Sequence, residues 1–159
     1  MDQIKRMMAH WTSHGIECPA GVSPGRIANF ESRHEVVLPN DLRSYFSAVN
    51  GMGELNIIDN DWFHFWQIED VTTIAAFVPD RSTLFQDAER YFIFADHSIS
   101  LPSYAIRLSS NPADENPVAS VFTDRGALQV EDFFGSFTEF VTQYLDDPLE
   151  TGGMFPRTV

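Results

Sequence analysis

The sequence has a single cysteine, Cys18, among 159 residues, and this excludes an intrachain disulfide and favours a reducing compartment. Long hydrophobic runs are also absent, since the apolar segment 91–95 is far too short to cross a bilayer. The amphipathic start of the chain is unlike a secretory signal. We therefore expect a cytoplasmic protein, and 159 residues suit one compact domain that buries its core without disulfides.

Basic residues are scarce beyond residue 50. Residues 1–50 contain five acidic and five basic residues, whereas residues 51–159 contain 18 acidic and five basic residues, and the net charge is −13. A field of this sign repels phosphate backbones and anionic membranes, so we expect neither nucleic acid nor membrane as a partner. The same field attracts basic proteins and speeds encounter with them. Solubility alone is the alternative explanation of the charge.

Signatures of catalysis are missing as well. The sequence has no Gly-x-Ser-x-Gly element, and the adjacent letters Asp96-His97-Ser98 cannot relay a proton as a hydrolase triad does. His10 and His14 are four residues apart, a spacing that suits two metal ligands, but a catalytic zinc site needs three. We interpret them as surface histidines, and we expect no catalytic residue, no metal and no cofactor.

Four segments have the apolar spacing of amphipathic helices. The first covers 2–14, and the second follows the N-terminal signal Ser23-Pro24 and ends near His34. The third begins near Pro39 and stops at Asn50-Gly51. The last opens with the capping-box pair Ser136 and Glu139 and ends at residue 147.

Between the third and the last helix the period changes to that of strands. We predict strands at 62–66, 91–95, 104–108, 118–122 and 128–130, and one short helix within 68–78. The turn Asp124-Arg125-Gly126 makes the last two strands a hairpin. The order predicts an α+β fold with a central, largely antiparallel sheet flanked by helices. We expect one domain over 1–148 and a flexible C-terminal tail over 149–159.

Several short motifs, in this order, resemble the SMI1/KNR4 (SUKH) superfamily. The resemblance covers roughly residues 4–146. Its opening motif consists of Ile27-x-x-Phe30-Glu31, Leu38-Pro39-x-Asp41-Leu42, Tyr45-Phe46 and Asn50-Gly51. Its later pieces are 62–66 followed by Ile68-Glu69-Asp70-Val71, then 91–95, 104–106 and the Phe-rich helix after Ser136.

The resemblance implies both a fold and a role. The family fold is α+β, with a largely antiparallel sheet flanked by helices. Bacterial members are immunity proteins that neutralise toxins, many of them nucleases, and eukaryotic relatives act as interaction modules. Neither branch is known for catalysis. The resemblance therefore implies a non-catalytic binding protein with a basic toxin domain as partner. A general regulatory scaffold without a toxin partner remains the alternative, and the oligomeric state stays open.

The segment 54–70 is the strongest candidate for the binding surface, because it combines aromatic residues with acids. Interface hot spots favour tryptophan in a packed centre with a charged rim. If Phe63 and Phe65 face the core, the two tryptophans of this segment share the opposite face; alternatively, a helix covers that face and both are core. The candidate partner-binding residues are Glu54, Asp59, Asp61, Trp62, His64, Trp66, Glu69 and Asp70.

Overall fold

The computed structural model describes residues 2–80, 85–99 and 101–156. Within these ranges the chain forms an antiparallel sheet with flanking helices, which confirms the predicted α+β fold. The helices are α1 (Asp2–Ser13), α2 (Pro24–His34), α3 (Asn40–Ala48), α4 (Ile74–Phe77), α5 (Phe137–Asp146) and α6 (Pro148–Gly152). The strands are β1 (Phe63–Phe65), β2 (Thr72–Thr73), β3 (Tyr91–His97), β4 (Ser103–Arg107), β5 (Val118–Asp124) and β6 (Ala127–Phe134).

The sheet has the strand order β1-β3-β4-β5-β6, and β2 also pairs with β3. Every pairing is antiparallel. The predicted hairpin is confirmed: Asp124 pairs with Ala127, and the two residues between them have φ of 47° and 88°. Positive φ at both positions is the geometry of a type I′ turn, whose twist matches that of the flanking strands. The short strands β1 and β2 form one side of the sheet, and the candidate site lies there.

The core is a layer of aromatic rings between α5 and the sheet. Phe140 lies 5.9 Å from Phe65, 5.3 Å from Phe94 and 4.8 Å from Tyr104, measured between ring centroids. All four side chains are fully buried. Each buried ring of this size contributes roughly 1.5–3 kcal/mol to stability. The high phenylalanine content of the sequence therefore stabilises the fold through this layer.

The helix starts follow the predicted capping chemistry. The Ser23 hydroxyl accepts the N–H of Arg26 at 3.3 Å, and the Ser136 hydroxyl accepts the N–H of Glu139 at 3.1 Å. The Glu139 carboxylate reaches back to the N–H of Gly135 at 2.7 Å, one residue before the position that a standard capping box uses. Both caps satisfy donors that a helix start leaves unpaired.

The short helix predicted within 68–78 is confirmed, but it occupies only the second half of that range. Only one turn, α4, is helical, and it is preceded by β2, in which Thr72 pairs with Ile93 and Thr73 with Phe92. The Thr73 hydroxyl caps α4 by accepting the N–H of Ala76 at 3.1 Å. β-Branched threonines favour a strand over a helix once a neighbouring strand is available for pairing.

The segment predicted to be a flexible tail contains α6 and several contacts to the sheet. The Tyr104 hydroxyl donates to the carbonyl of Thr151 at 2.6 Å, and the Ser120 hydroxyl donates to the carbonyl of Met154. Thr151 is completely buried. The flexibility of 149–159 and the domain boundary at residue 148 stay predictions, and these contacts lead us to expect less motion near α6. None of the helices in the described ranges has the length and apolar character needed to span a bilayer.

Candidate functional site

The loop that joins α3 to β1 is held in place by two local devices. Asp59 is the first, because its Oδ1 accepts the N–H groups of Asp61 and Phe63, each at 2.9 Å. Gly51 is the second: it has φ of +60°, and a Cβ there would come within 2.6 Å of the Phe65 carbonyl oxygen. Only glycine fits so close to another strand in this conformation. The loop is therefore pinned against β1 at both ends.

Beside this loop lies a cleft of about 370 Å³, which we call the apolar cleft. It is open to solvent on the side of the sheet where β1 and β2 pair with β3. Side chains from the loop, from both short strands, from α4 and from the end of β3 form its walls. Its lining residues are Leu55, Ile58, His64, Trp66, Asp70, Thr72, Phe77, Asp96 and Ile99.

Exposed hydrophobic side chains surround the apolar cleft. Ile99 is 83% exposed, Leu55 is 62% exposed, and Ile58 and Phe77 are also substantially exposed. Trp62 is 58% exposed, and its carbonyl accepts the N–H of Ser98 at 2.9 Å, next to Ile99. A contiguous group of large exposed apolar residues is typical of an interaction surface.

Two buried acceptors in the apolar cleft lack a donor among the described residues. The His64 ring is 1% exposed, and its Nδ1 donates to the Ile57 carbonyl at 2.5 Å, so neutral His64 presents an unprotonated Nε2. Neither that Nε2 nor the buried Oδ2 of Asp70 has a hydrogen-bond partner there. Most buried polar atoms in folded proteins are paired, so two unpaired acceptors in one cleft indicate a place for a donor group.

The two tryptophans of the predicted site have different environments. Strand β1 is only three residues long, and Trp62 precedes it with φ of +69°, which breaks the alternation expected over 62–66. Trp66 is 5% exposed, and its Nε1 donates to Asp96 Oδ2 at 2.8 Å. The idea that both tryptophans share an exposed face is therefore wrong, and so is the alternative that both are core.

The remaining predicted residues divide among four places. His64 and Asp70 line the apolar cleft with Trp66. Glu69 is directed away from it, because Glu69 forms an ion pair with Arg26 and accepts a hydrogen bond from Asn50 Nδ2 at 3.0 Å. Glu54 is exposed beside Leu55. Asp59 and Asp61 face α1.

Sequence reasoning missed six residues of the apolar cleft. The signal that could have found three of them is an apolar residue inside a polar loop. The signal for Asp96 and Phe77 is weaker, since one ends a buried strand and the other sits in an apolar helical turn. The missed residues are Leu55, Ile58, Thr72, Phe77, Asp96 and Ile99.

A cluster of four titratable side chains lies behind the loop. His10 Nε2 is 3.6 Å from Asp61 Oδ2 and 3.9 Å from Asp59 Oδ2, and the rings of His10 and His14 are 4.1 Å apart. Burial, and then the proximity of His14, lower the pKa of His10 below its ordinary value, and the two carboxylates only partly oppose this shift. His10 is therefore neutral near pH 7.

Asp59 is also connected to the core. Its side chain has no exposed surface, and its Oδ2 accepts the hydroxyl of Tyr144 in a short hydrogen bond. Tyr144 in turn accepts the Nε1–H of Trp11 at 3.1 Å. Burial and the Asp59 carboxylate raise the pKa of Tyr144, so the hydroxyl keeps its proton and stays a donor.

The letters Asp96-His97-Ser98 do not come together as a triad. The Asp96 carboxylate bonds to Trp66, whereas the His97 ring contacts Phe63, with centroids 4.8 Å apart. Neighbouring residues of a strand point to opposite faces, which separates these two side chains. The closest approach is that of Ser98 Oγ to His97 Nδ1, at 3.2 Å.

Comparison with known proteins adds a family to this architecture. A search among curated proteins found no significant match. The sequence profile described as the SMI1 / KNR4 family (SUKH-1) matches residues 21–143, which include α2, the whole sheet, the apolar cleft and most of α5. The match covers well over half of the chain and agrees with the motif order and with the observed α+β fold. The chain therefore belongs to the SMI1/KNR4 (SUKH-1) family.

Proposed function

We propose that this chain is a non-catalytic immunity protein that neutralises a basic bacterial toxin domain by forming a stoichiometric complex in the cytoplasm. Family membership is consistent with this role. The acidic surplus after residue 50 supports a basic partner, because opposite charge accelerates encounter and disfavours acidic competitors. A nuclease is a natural candidate, since its active site must carry basic residues that hold phosphates.

The single observation that carries the proposal is the apolar cleft with its two unpaired acceptors. His64 Nε2 and Asp70 Oδ2 both need a donor, and Asp96 adds a second carboxylate to the same walls. In the described parts of the chain, neither carboxylate forms an ion pair. An arginine or lysine from the partner would place its aliphatic stem along the apolar walls and its cationic head on these acceptors.

The exposed rim supplies the rest of the surface. Trp62 lies outside the apolar cleft and Ile99 lies on its wall; both are exposed and would be covered by the partner around the inserted basic side chain. A buried anchor surrounded by water-excluding apolar contacts is the usual arrangement of an interface hot spot. Glu54 then lies at the edge of the surface, where charge affects the association rate more than the lifetime of the complex.

The test uses the toxin domain encoded by the gene next to this one, if the neighbourhood contains one. The chain should bind that domain with one-to-one stoichiometry in calorimetry and rescue cells that express it. Ile99→Asp should weaken binding by at least tenfold, because it places a charge in the covered rim. Leu149→Asp is the matched control: Leu149 is 85% exposed on α6, away from the apolar cleft, and its substitution should leave affinity unchanged.

A second pair of variants distinguishes electrostatic attraction during association from contacts that are buried in the complex. Glu54→Lys should slow association and reduce its salt dependence, whereas Glu115→Lys, at an exposed position in the β4–β5 turn, should do so less. Failure to rescue cells from every adjacent toxin would end the immunity proposal. If a host protein then bound through the apolar cleft, with the same Ile99→Asp sensitivity, the scaffold alternative would replace it.

A further inference from the structure

The cluster behind the loop brings together four side chains that sequence spacing could not connect. His10 and His14 come from successive turns of α1, and Asp59 and Asp61 come from the loop before β1. One ligand atom from each lies within 4.8 Å of the other three. We propose that His10, His14, Asp59 and Asp61 form a binding site for one divalent transition-metal ion, with Zn²⁺ the best match.

The distances suit ligands of a shared ion better than a hydrogen bond. His10 Nε2 lies 3.6 Å and 3.9 Å from the two carboxylate oxygens, beyond the usual reach of about 3.2 Å. Zinc bonds of about 2.0–2.1 Å at tetrahedral angles place neighbouring ligands about 3.4 Å apart. The two separations between His10 and the carboxylates need to change by only a few tenths of an ångström to reach that spacing. The widest pair in the cluster, at up to 4.8 Å, needs a larger side-chain rotation.

The His10 ring nitrogen that faces the carboxylates has no hydrogen bond in the part of the chain that the structure describes. This Nε2 is buried, and two carboxylate oxygens face it. With the proton of neutral His10 on Nδ1, a cation between Nε2 and the two carboxylates would interact favourably with all three groups. The cluster is therefore arranged as a set of donors around a common centre.

The groups behind the ligands are those that hold the ligating side chains of a metal site in place. Asp59 Oδ1 is held by the N–H groups of Asp61 and Phe63, and Tyr144 donates to Oδ2. Trp11 then fixes the Tyr144 hydroxyl. Such supporting hydrogen bonds orient a ligating carboxylate, and their loss commonly weakens metal affinity about 10–100-fold. Asp59 is therefore preorganised, with one side of Oδ2 directed at His10.

His14 is the ligand that must change its hydrogen bonding. Its Nδ1 accepts the N–H of Asn60 at 3.0 Å, which places the proton of neutral His14 on Nε2. Metal binding through either nitrogen disrupts that bond. We therefore assign His10, Asp59 and Asp61 as the primary ligands, with His14 completing the tetrahedron at the expense of its contact with Asn60.

The ligand types select the class of ion. Two imidazoles with two carboxylates match Zn²⁺ and its neighbours Co²⁺ and Ni²⁺, whereas Ca²⁺ and Mg²⁺ prefer oxygen ligands only. The bound ion would join α1 to the loop that carries Leu55, Ile58 and Trp62. It would thus rigidify the proposed docking surface. The metal site itself does not depend on which partner the chain binds.

Calorimetric titration of the full chain with Zn²⁺ tests the site. We expect one Zn²⁺ per chain, no binding of Ca²⁺ under the same conditions, and a melting temperature that rises with Zn²⁺ concentration and returns to baseline in EDTA. Asp61→Asn and His10→Gln, each shown to be folded by circular dichroism, should weaken Zn²⁺ binding by more than tenfold. Substitution with Co²⁺ should produce the visible absorption of a tetrahedral ion.

His34→Gln is the matched control, since His34 is a partly buried histidine on another helix, outside the cluster. It should leave the affinity for Zn²⁺ unchanged. Weak binding of several ions per chain, equally insensitive to Asp61→Asn and to His34→Gln, would mean adventitious surface binding and overturn the proposal. Absence of any Zn²⁺-dependent change in melting temperature would overturn it as well, whatever the outcome of the toxin experiments.

Discussion

Removal of the Tyr144 hydroxyl should destabilise the fold far more than a typical tyrosine-to-phenylalanine change. Tyr144→Phe leaves the ring packed against Phe63 and Phe65 and deletes only one oxygen. That oxygen bridges two buried groups, because it donates to Asp59 and accepts from Trp11. Both neighbours are inaccessible to water at these atoms, so neither can replace the lost partner by hydration.

The magnitude follows from the two groups that lose a partner. A hydrogen bond to a charged acceptor is worth about 1.5–3 kcal/mol, and leaving a buried donor unpaired costs about 1–3 kcal/mol. We therefore expect a loss of about 3–4 kcal/mol, a large part of a total stability of about 5–15 kcal/mol. In a domain of this size, such a loss lowers the melting temperature by about 10 °C.

Urea unfolding followed by tryptophan fluorescence and far-UV circular dichroism, in EDTA, measures this difference. Tyr91→Phe is the control, because the Tyr91 hydroxyl donates to Asp132 at 2.9 Å and the Asp132 side chain is exposed, so water can replace the bond. That variant should lose about 1 kcal/mol. Equal losses for the two variants would refute the claim that Asp59, Tyr144 and Trp11 form a buried network whose members depend on one another.

Three further predictions concern the loop and the cluster. Gly51→Ala should lower the free energy of unfolding by about 3 kcal/mol or more, or prevent folding, because the added Cβ meets the β1 backbone at a positive φ. Gly126→Ala is the control, because the space around Gly126 is open; it should lower that free energy by only about 1–2 kcal/mol in chemical denaturation. The pKa of His10 in the folded chain lies below 6.5, so the unfolded chain binds a proton first as pH falls below 6.5, and the fold loses stability there. His10→Gln should make that loss of stability smaller in thermal melts in EDTA. An unchanged decline would contradict the lowered pKa of His10. Trp62→Gly should relieve the backbone strain of a positive φ, so thermal unfolding should show no loss of stability. The affinity for the partner should fall at least tenfold, because the exposed indole ring is lost. An unchanged affinity would show that Trp62 is not part of the docking surface.

The parts of the fold that were predictable are those determined by neighbours along the chain. Helix α5 has an apolar stripe and a serine cap within its own sequence, and the hairpin turn at Arg125-Gly126 needs only local chemistry. The short helix predicted within 68–78 is confined to Ile74–Phe77, because Thr72 and Thr73 pair with β3, about 20 residues away. Pairing with a distant strand outweighed the local helical spacing, as tertiary context commonly does.

The candidate site was predictable only in its general location. The segment 54–70 was predicted to carry the binding surface, and this stays a prediction; His64, Trp66 and Asp70 of that segment do meet in the apolar cleft. The opposite wall, formed by Phe77, Asp96 and Ile99, comes from segments up to about 45 residues away, so no spacing within 54–70 could indicate it. Fold class and family followed from motif order, which depends on the sequence alone.

By itself, the sequence determined the amphipathic helices, the hairpin, the α+β class and the uneven distribution of charge, because each depends on residue identity and local periodicity. Only the tertiary structure decided which side chains are exposed and which converge. It buried Trp66 against Asp96 while leaving Trp62 in solvent, and it carried Asp59 and Asp61 to His10 and His14 across more than 40 residues. Burial and convergence arise from contacts between distant segments, and those contacts form only when the whole core packs.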